Sequence, residues 1–254
     1  MLYLVGLGLF GPDSITLTGL NALKASSRVF MEVYTSFHHG RSTSDYEMAY
    51  GLKIERIGRG EVEEMEKLLD TAVNENVSIL VSGDPLTATT HNMLRLRAIQ
   101  RRIPLRIIDN SSILTAFPMH AGLSIYRMGP PVSIPFFSRE FRPVSPYRKI
   151  IANLSSGFHT LLLLDLREGR TMEPGVVREE LIEMSDTADD KTISDSTEII
   201  VGSRIGSDDE VIFPCCVGDL EKMQDRSPMS IIVPAALTED ERDFLQSFST
   251  IAEK

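Results

Sequence analysis

The chain has 254 residues, of which 42% are hydrophobic and 24% charged, with a formal net charge of −10 and a pI near 5.0. That length supplies one large or two medium cores without covalent staples, and the acidic balance excludes a mainly electrostatic grip on nucleic acid. The two cysteines, Cys215 and Cys216, are neighbours, so they offer neither a long-range disulfide nor metal-ligand spacing, and a reducing compartment is expected.

The opening Met1-Leu2-Tyr3-Leu4-Val5 is apolar, follows no basic residues and is cut short at Gly6. It reads as a first strand and not as a secretory leader. No apolar run approaches the length that crosses a bilayer, so a cytoplasmic protein with no membrane partner is expected. After the glycine turn, a helix is predicted over residues 15–23, capped by Asp13 or Ser14. The next strand covers 29–34, and an exposed loop over 35–44 carries His38 and His39. Residues 62–76 show helical spacing through Met65, Leu68, Leu69, Ala72 and Val73. They feed the apolar run Ile79-Leu80-Val81, which stops in Gly83-Asp84-Pro85. A helix over 89–102 and a strand over 105–109 follow, then the turn and helix cap Asn110 to Ile113. Strands alternating with helices imply a parallel sheet covered on both faces, assigned to a domain over 1–115.

Prolines cluster between Tyr126 and Pro146, and Pro135 inside the run 132–137 demotes that strand to an edge or a bulge. Helices are predicted at 145–155, 174–184 and 238–248, with strands at 160–165, 198–202, 211–213 and 229–234. This second half, 116–254, is mixed α/β with hairpins. Its acidic stretch from Glu179 to Glu198 reads as a solvated helix and loop.

Gly6-x-Gly8-x-x-Gly11 after a strand, with Glu32 closing the next, satisfies the dinucleotide fingerprint and keeps an NAD-linked dehydrogenase in view. Pro12 opposes it, because its ring would stand in the first turn of a helix whose N–H groups must meet a pyrophosphate. His38 and His39 have no Cys, Asp or Glu at metal spacing, so they read as a solvated pair and no metal is expected. No G-x-S-x-G elbow occurs, His91, His120 and His159 are isolated, and no catalytic group is nominated. What remains is a set of small, backbone-rich corners: Gly6 to Gly11, Gly83 to Thr90, Asn110 to Ile113, and the strand ends near Leu163 and Ile205. Such corners suit a neutral, adenosine-like ligand, although every α/β protein has some. Arg127, Arg139, Arg142, Arg148 and Lys149 form a basic cluster that suits a carboxylate or an acidic protein surface, with ordinary solvated charges as the alternative.

Those corners carry a resemblance. Leu4-Val5-Gly6-Leu7-Gly8-Leu9, Glu32-Val33-Tyr34-Thr35-Ser36, Gly83-Asp84-Pro85 with Ala88-Thr89-Thr90-His91, Asn110-x-Ser112-Ile113, and Gly122-Leu123-x-x-Tyr126-Arg127-x-Gly129-x-x-Val132-Ser133-Ile134-Pro135-Phe136 occur in order. With Leu163-Leu164-Asp165 and Arg204-Ile205-Gly206-Ser207, the chain resembles the diphthine synthase family of tetrapyrrole-methylase-like methyltransferases. The resemblance implies an α/β fold of two α/β/α domains, the first sheet mainly parallel and the second mixed, with S-adenosyl-L-methionine in the cleft between them and S-adenosyl-L-homocysteine as product. It also implies a homodimer, and translation elongation factor 2 as the protein substrate, methylated on a histidine bearing a 3-amino-3-carboxypropyl arm in diphthamide biosynthesis. Carried over by position, the cofactor contacts are Leu9, Asp84, Thr87, Ser112, Ile113, Leu163, Ile205 and Met229. Met229 stands where the family usually has His. A tetrapyrrole methylase acting on a macrocycle and a non-catalytic adaptor stay open beside this reading.

Overall fold

The computed structural model describes residues 1–34, 36–58, 60, 66–89, 91–167 and 169–252. The chain divides into two compact units, Met1–Ile113 and Leu114–Lys254.

The first unit is a parallel sheet of β1 (Leu2–Gly6), β2 (Arg28–Glu32), β3 (Glu55–Ile57), β4 (Val77–Val81) and β5 (Leu105–Ile108), in the order β3-β2-β4-β1-β5. β4 is buried along its whole length, as expected for a strand covered on both faces. One layer packs Leu2, Leu4, Ile79 and Val81 with Leu68, Leu69 and Ala72 of the helix Glu66–Asn74, and the other packs Val5, Leu80 and Ile108 with Ala22 and Leu23 of the helix Leu17–Lys24. Thr16 caps the latter helix, its Oγ1 accepting the Gly19 N–H at 3.0 Å. The expected caps, Asp13 and Ser14, lie instead in a 3-10 turn, Pro12–Ser14. A helix with no counterpart among the predicted elements, Thr43–Tyr50, starts at the end of the expected 35–44 loop and is capped by Asp45 accepting the Ser42 N–H at 2.6 Å. Thr35, Thr90, and residues 62–65 of the predicted second helix lie outside the described residues.

The second unit holds β6 (Val132–Ile134), β7 (Thr160–Leu164), β8 (Leu166–Arg167), β9 (Arg170–Thr171), β10 (Glu198–Ser203), β11 (Val211–Cys216) and β12 (Met229–Val233). Its five-stranded sheet runs β11-β10-β12-β7-β6; β6 pairs parallel with β7 and the other pairings are antiparallel. β6 is an edge strand and stops before Pro135, which has no N–H to donate. The core gathers Tyr147 and Ile150 of the helix Ser145–Ser155, Val177 and Leu181 of the helix Pro174–Thr187, and Leu162, Val201 and Ile231 of the sheet.

Two expectations are corrected in this unit. Glu180, assigned to a solvated stretch, is 5% exposed. Arg127, assigned to a free basic cluster, is paired with Glu241 of the terminal helix Glu239–Ala252 and donates to Ala236 O at 2.5 Å. Glu241 also accepts the Nε2–H of fully buried His159 at 3.2 Å and the Thr238 N–H at 2.9 Å, while His159 Nδ1 accepts the Ala235 N–H at 3.0 Å. This group ties the terminal helix to the segment before β6 and to the start of β7.

Candidate functional site

In a parallel sheet all carboxyl ends lie on one edge, and ligands gather there. Because β4, β1 and β5 are neighbours, three of the corners meet on that edge. Gly8 and Gly83 exchange backbone bonds, Gly83 N–H to Gly8 O at 2.7 Å and Gly8 N–H to Gly83 O at 3.1 Å. Both have left-handed φ, +71° and +74°, which glycine adopts without the Cβ clash of other residues. Asn110 closes the third side by donating from Nδ2 to Gly6 O and Ser14 O, each at 2.9 Å.

His38 holds this corner from behind. It is 5% exposed, and its Nε2–H donates to Gly8 O at 2.7 Å. Burial holds its ring below the usual imidazole value and neutral, so Nδ1 accepts from the Tyr46 hydroxyl. The expectation of a solvated His38-His39 pair is therefore corrected: His39 is exposed, but His38 is a buried strut. Sequence pattern could not reveal this, because the partner is a backbone carbonyl thirty residues away.

A β-carbon built on Gly83 would stand 3.7 Å from Ser111 O and 4.0 Å from Leu9 Cδ2. Leu9, Gly83 and Ser111 thus border one small space. Leu9, Asp84, Thr87, Ser112 and Ile113 are all half-buried around this edge. Asp84 Oδ1 accepts the Leu86 N–H at 3.0 Å and the Thr87 hydroxyl at 2.8 Å, and Oδ2 has no partner among the described residues. The set is apolar and neutral with one carboxylate, which fits a nucleoside bearing hydroxyl and ammonium donors.

The same geometry removes the dinucleotide reading. The helix begins only at Leu17, after the turn Pro12–Ser14, so no helix N-terminus meets the glycines. β4 also separates β1 from β2, placing Glu32 two strands, roughly 10 Å, from the glycine corner. Glu32 Oε1 there accepts the Tyr34 N–H at 2.7 Å.

In the second unit, β7 and β10 both run antiparallel to β12, so their carboxyl ends share an edge with the start of β12. Leu163 sits opposite Ser230 and Met229 opposite Ser203, while Ile205 follows β10. Leu163 is half-buried, and Ile205 and Met229 have buried side chains, with Met229 in the core of the unit. Arg204, at φ +53°, turns the chain here by donating its N–H to Pro228 O at 2.9 Å and accepting the Ser207 N–H at 3.0 Å.

The buried titratable groups predict a pH dependence. Burial lowers His38, His91 and His159 below 6.5, so their contribution to stability is complete above about 6.5 and is lost as pH falls. Burial raises Glu180 from 4.5 to about 7, so its contribution is complete below 4.5 and is lost as pH rises through about 7. The two slopes oppose each other between these values. Glu180→Gln is expected to steepen the rise of the melting temperature with pH in that window, by scanning calorimetry; an equal or shallower rise would contradict it.

Comparison with known proteins gives the same picture. The family of Tetrapyrrole (Corrin/Porphyrin) Methylases matches residues 1–221. A diphthine synthase of Methanothermobacter thermautotrophicus is 38% identical over 248 residues, covering 96% of this chain and 94% of that protein. A diphthine methyl ester synthase of Kluyveromyces lactis is 35% identical, covering 100% of this chain and 92% of its own. A crystal structure of diphthine synthase superposes with a TM-score of 0.88 at 31% identity, covering 97% of this chain and 95% of that one. Similarity over nearly the whole length of this chain and of these proteins shows that the chain belongs to the tetrapyrrole (corrin/porphyrin) methylase family, among the relatives of diphthine synthase.

Proposed function

We propose that this protein is a diphthine synthase, an S-adenosyl-L-methionine-dependent methyltransferase. It methylates the 3-amino-3-carboxypropyl-histidine of translation elongation factor 2 in diphthamide biosynthesis and releases S-adenosyl-L-homocysteine. The observation that carries this reading is the 38% identity to a diphthine synthase over 96% of the chain. No helix of the described residues is long and apolar enough to cross a membrane; a cytoplasmic location and a homodimer belong to the same proposed reading.

Leu9, Asp84, Thr87, Ser112 and Ile113 of the first unit, and Leu163, Ile205 and Met229 of the second, are the proposed cofactor contacts. The cofactor, when bound, supplies a methyl group on a sulfonium that leaves without a covalent enzyme intermediate. The task of the chain is then to hold and orient. Alignment of two reactants can supply roughly 7–11 kcal/mol. Asp84 fits this task because one oxygen fixes its own turn while the other faces no partner among the described residues. Ile205 and Met229, with buried side chains, present mainly their backbone.

Incubation with labelled S-adenosyl-L-methionine and elongation factor 2 carrying the unmethylated arm, read by mass spectrometry, tests the reading and counts the methyl groups. Labelling of a tetrapyrrole instead would favour the macrocycle-methylating branch of the family. Asp84→Ala is expected to weaken cofactor binding at least tenfold by calorimetry and to lower the melting temperature. A lower melting temperature with intact affinity would reduce Asp84 to a turn residue.

A further inference from the structure

Where β7 ends, two carboxylates are held side by side by consecutive backbone N–H groups. Phe136 N–H donates to Asp165 Oδ2 at 3.3 Å, and Phe137 N–H donates to Glu180 Oε1 at 2.8 Å. Asp165 is pinned from its own backbone too, its N–H donating to Ile134 O at 3.0 Å. Glu180 is 95% buried, and its Oε2 has no hydrogen-bond partner among the described residues. Among the described residues no basic side chain pairs with either acid. The other charges facing Glu180 are Glu179 and Glu183 on its own helix and Asp165 just after β7, all acidic; Glu183 is itself paired with Arg142 at 2.6 Å. Phe136 and Phe137 pack against the core and give the pair an apolar backing, which strengthens its field.

A buried carboxyl oxygen with no donor and no counter-ion among the described residues is costly to ionise, and burial pushes Glu180 up to about 7. A fold that keeps one beside a second, half-exposed carboxylate holds a site for a cation, and such uncompensated groups concentrate where chemistry occurs. The position supports this. Asp165 follows the end of β7 and lies two residues beyond Leu163, a proposed cofactor contact, so the two are within roughly 7 Å along the chain.

We propose that Asp165, backed by Glu180, binds the ammonium of the substrate's amino group and takes its proton before methyl transfer. This rests on the reading of the protein as an amine methyltransferase. In the step, the ammonium N–H bond breaks and the proton passes to the Asp165 carboxylate, leaving the lone pair on nitrogen. That pair forms the new C–N bond as the C–S bond of the sulfonium breaks, its electrons staying on sulfur. Asp165 then returns the proton to solvent. Glu180 is a positioning residue: its bond to the Phe137 N–H fixes the backbone beside the Phe136 N–H that holds Asp165, and its second oxygen deepens the well for the cation.

The test uses the full chain, labelled S-adenosyl-L-methionine and elongation factor 2 with the unmethylated arm. Asp165→Asn is expected to lower kcat at least about 100-fold, with cofactor affinity by calorimetry unchanged within about twofold. Asp165→Glu, which keeps a base, should recover part of that rate. Glu180→Gln, which removes the second carboxyl from beside the cation, should raise KM for the elongation factor while changing kcat by less than about twofold. Both amide variants keep an acceptor for the Phe136 and Phe137 N–H groups, and a melting curve checks that they fold. A wild-type chain that transfers no methyl group overturns the proposed function, and this inference with it. An active wild type with Asp165→Asn at the same rate, or with an unchanged KM in Glu180→Gln, overturns the inference alone.

Discussion

Glu241→Ala is expected to cost about 3–5 kcal/mol of stability, the range for removing one partner of a buried ion pair, and to lower the melting temperature by on the order of 10 °C. The carboxylate is 4% exposed and joins three elements at once. Burial pushes its acid up, but the N–H donors of Thr238 and Ser124 and the ring of His159 together outweigh that and hold it below the usual carboxylate value. Without it, His159, fully buried, keeps an Nε2–H with no acceptor, and Arg127, a quarter exposed, loses its counter-ion. Glu241→Gln should cost less, since it keeps one oxygen for the His159 donor. Chemical denaturation compares the two. Equal stability of Glu241→Ala and wild type would show that Arg127 and His159 find replacement partners in solvent.

Gly6→Ala should damage both fold and site. A β-carbon at Gly6 would lie 2.7 Å from Gly83 O, 2.8 Å from Asn110 Cβ and 3.0 Å from Pro85 Cδ. None of these is the end of a flexible side chain, so relief requires moving one corner away from another. Overpacking of this kind costs about 1–3 kcal/mol, and the displacement separates Gly83 from Gly8, which together shape the space beside Leu9. Cofactor affinity is expected to fall at least tenfold in calorimetry. Affinity equal to wild type, with only the melting temperature reduced, would place the proposed cofactor contacts elsewhere.

Much of this architecture is readable from local pattern. β1, β4 and β5 are apolar runs that stop at Gly6, at Gly83 and at Asn110, and Pro135 alone identifies β6 as an edge. The helix Thr43–Tyr50 escapes such reading because its inward residues are two tyrosines, Tyr46 and Tyr50, with no aliphatic stripe. Glu180 had a usable signal: with Val177, Leu181 and Met184 it falls at the i, i+3, i+4, i+7 positions of one face, and the three apolar members are buried. Its charge masked its place in the period. Arg127 and His38 carried no such signal, since their partners are set by tertiary structure, Glu241 lying 114 residues from Arg127. The glycine corners were legible one by one. Their convergence depends on β4 entering between β1 and β2, which no local pattern states.

That strand order also has a consequence during synthesis. β1 leaves the ribosome first, but its hydrogen-bonding neighbours are β4 and β5, and the bond that closes the glycine corner, from Asn110 to Gly6, spans 104 residues. Closing so long a loop is entropically expensive and slow compared with local pairing. The nascent first unit can form its helices early, yet its oldest strand must wait, unpaired, for nearly the newest one. The glycine corner therefore cannot close before residue 110 has emerged, which makes hydrogen-exchange protection of β1 in ribosome-bound chains of increasing length a direct clock for completion of this sheet.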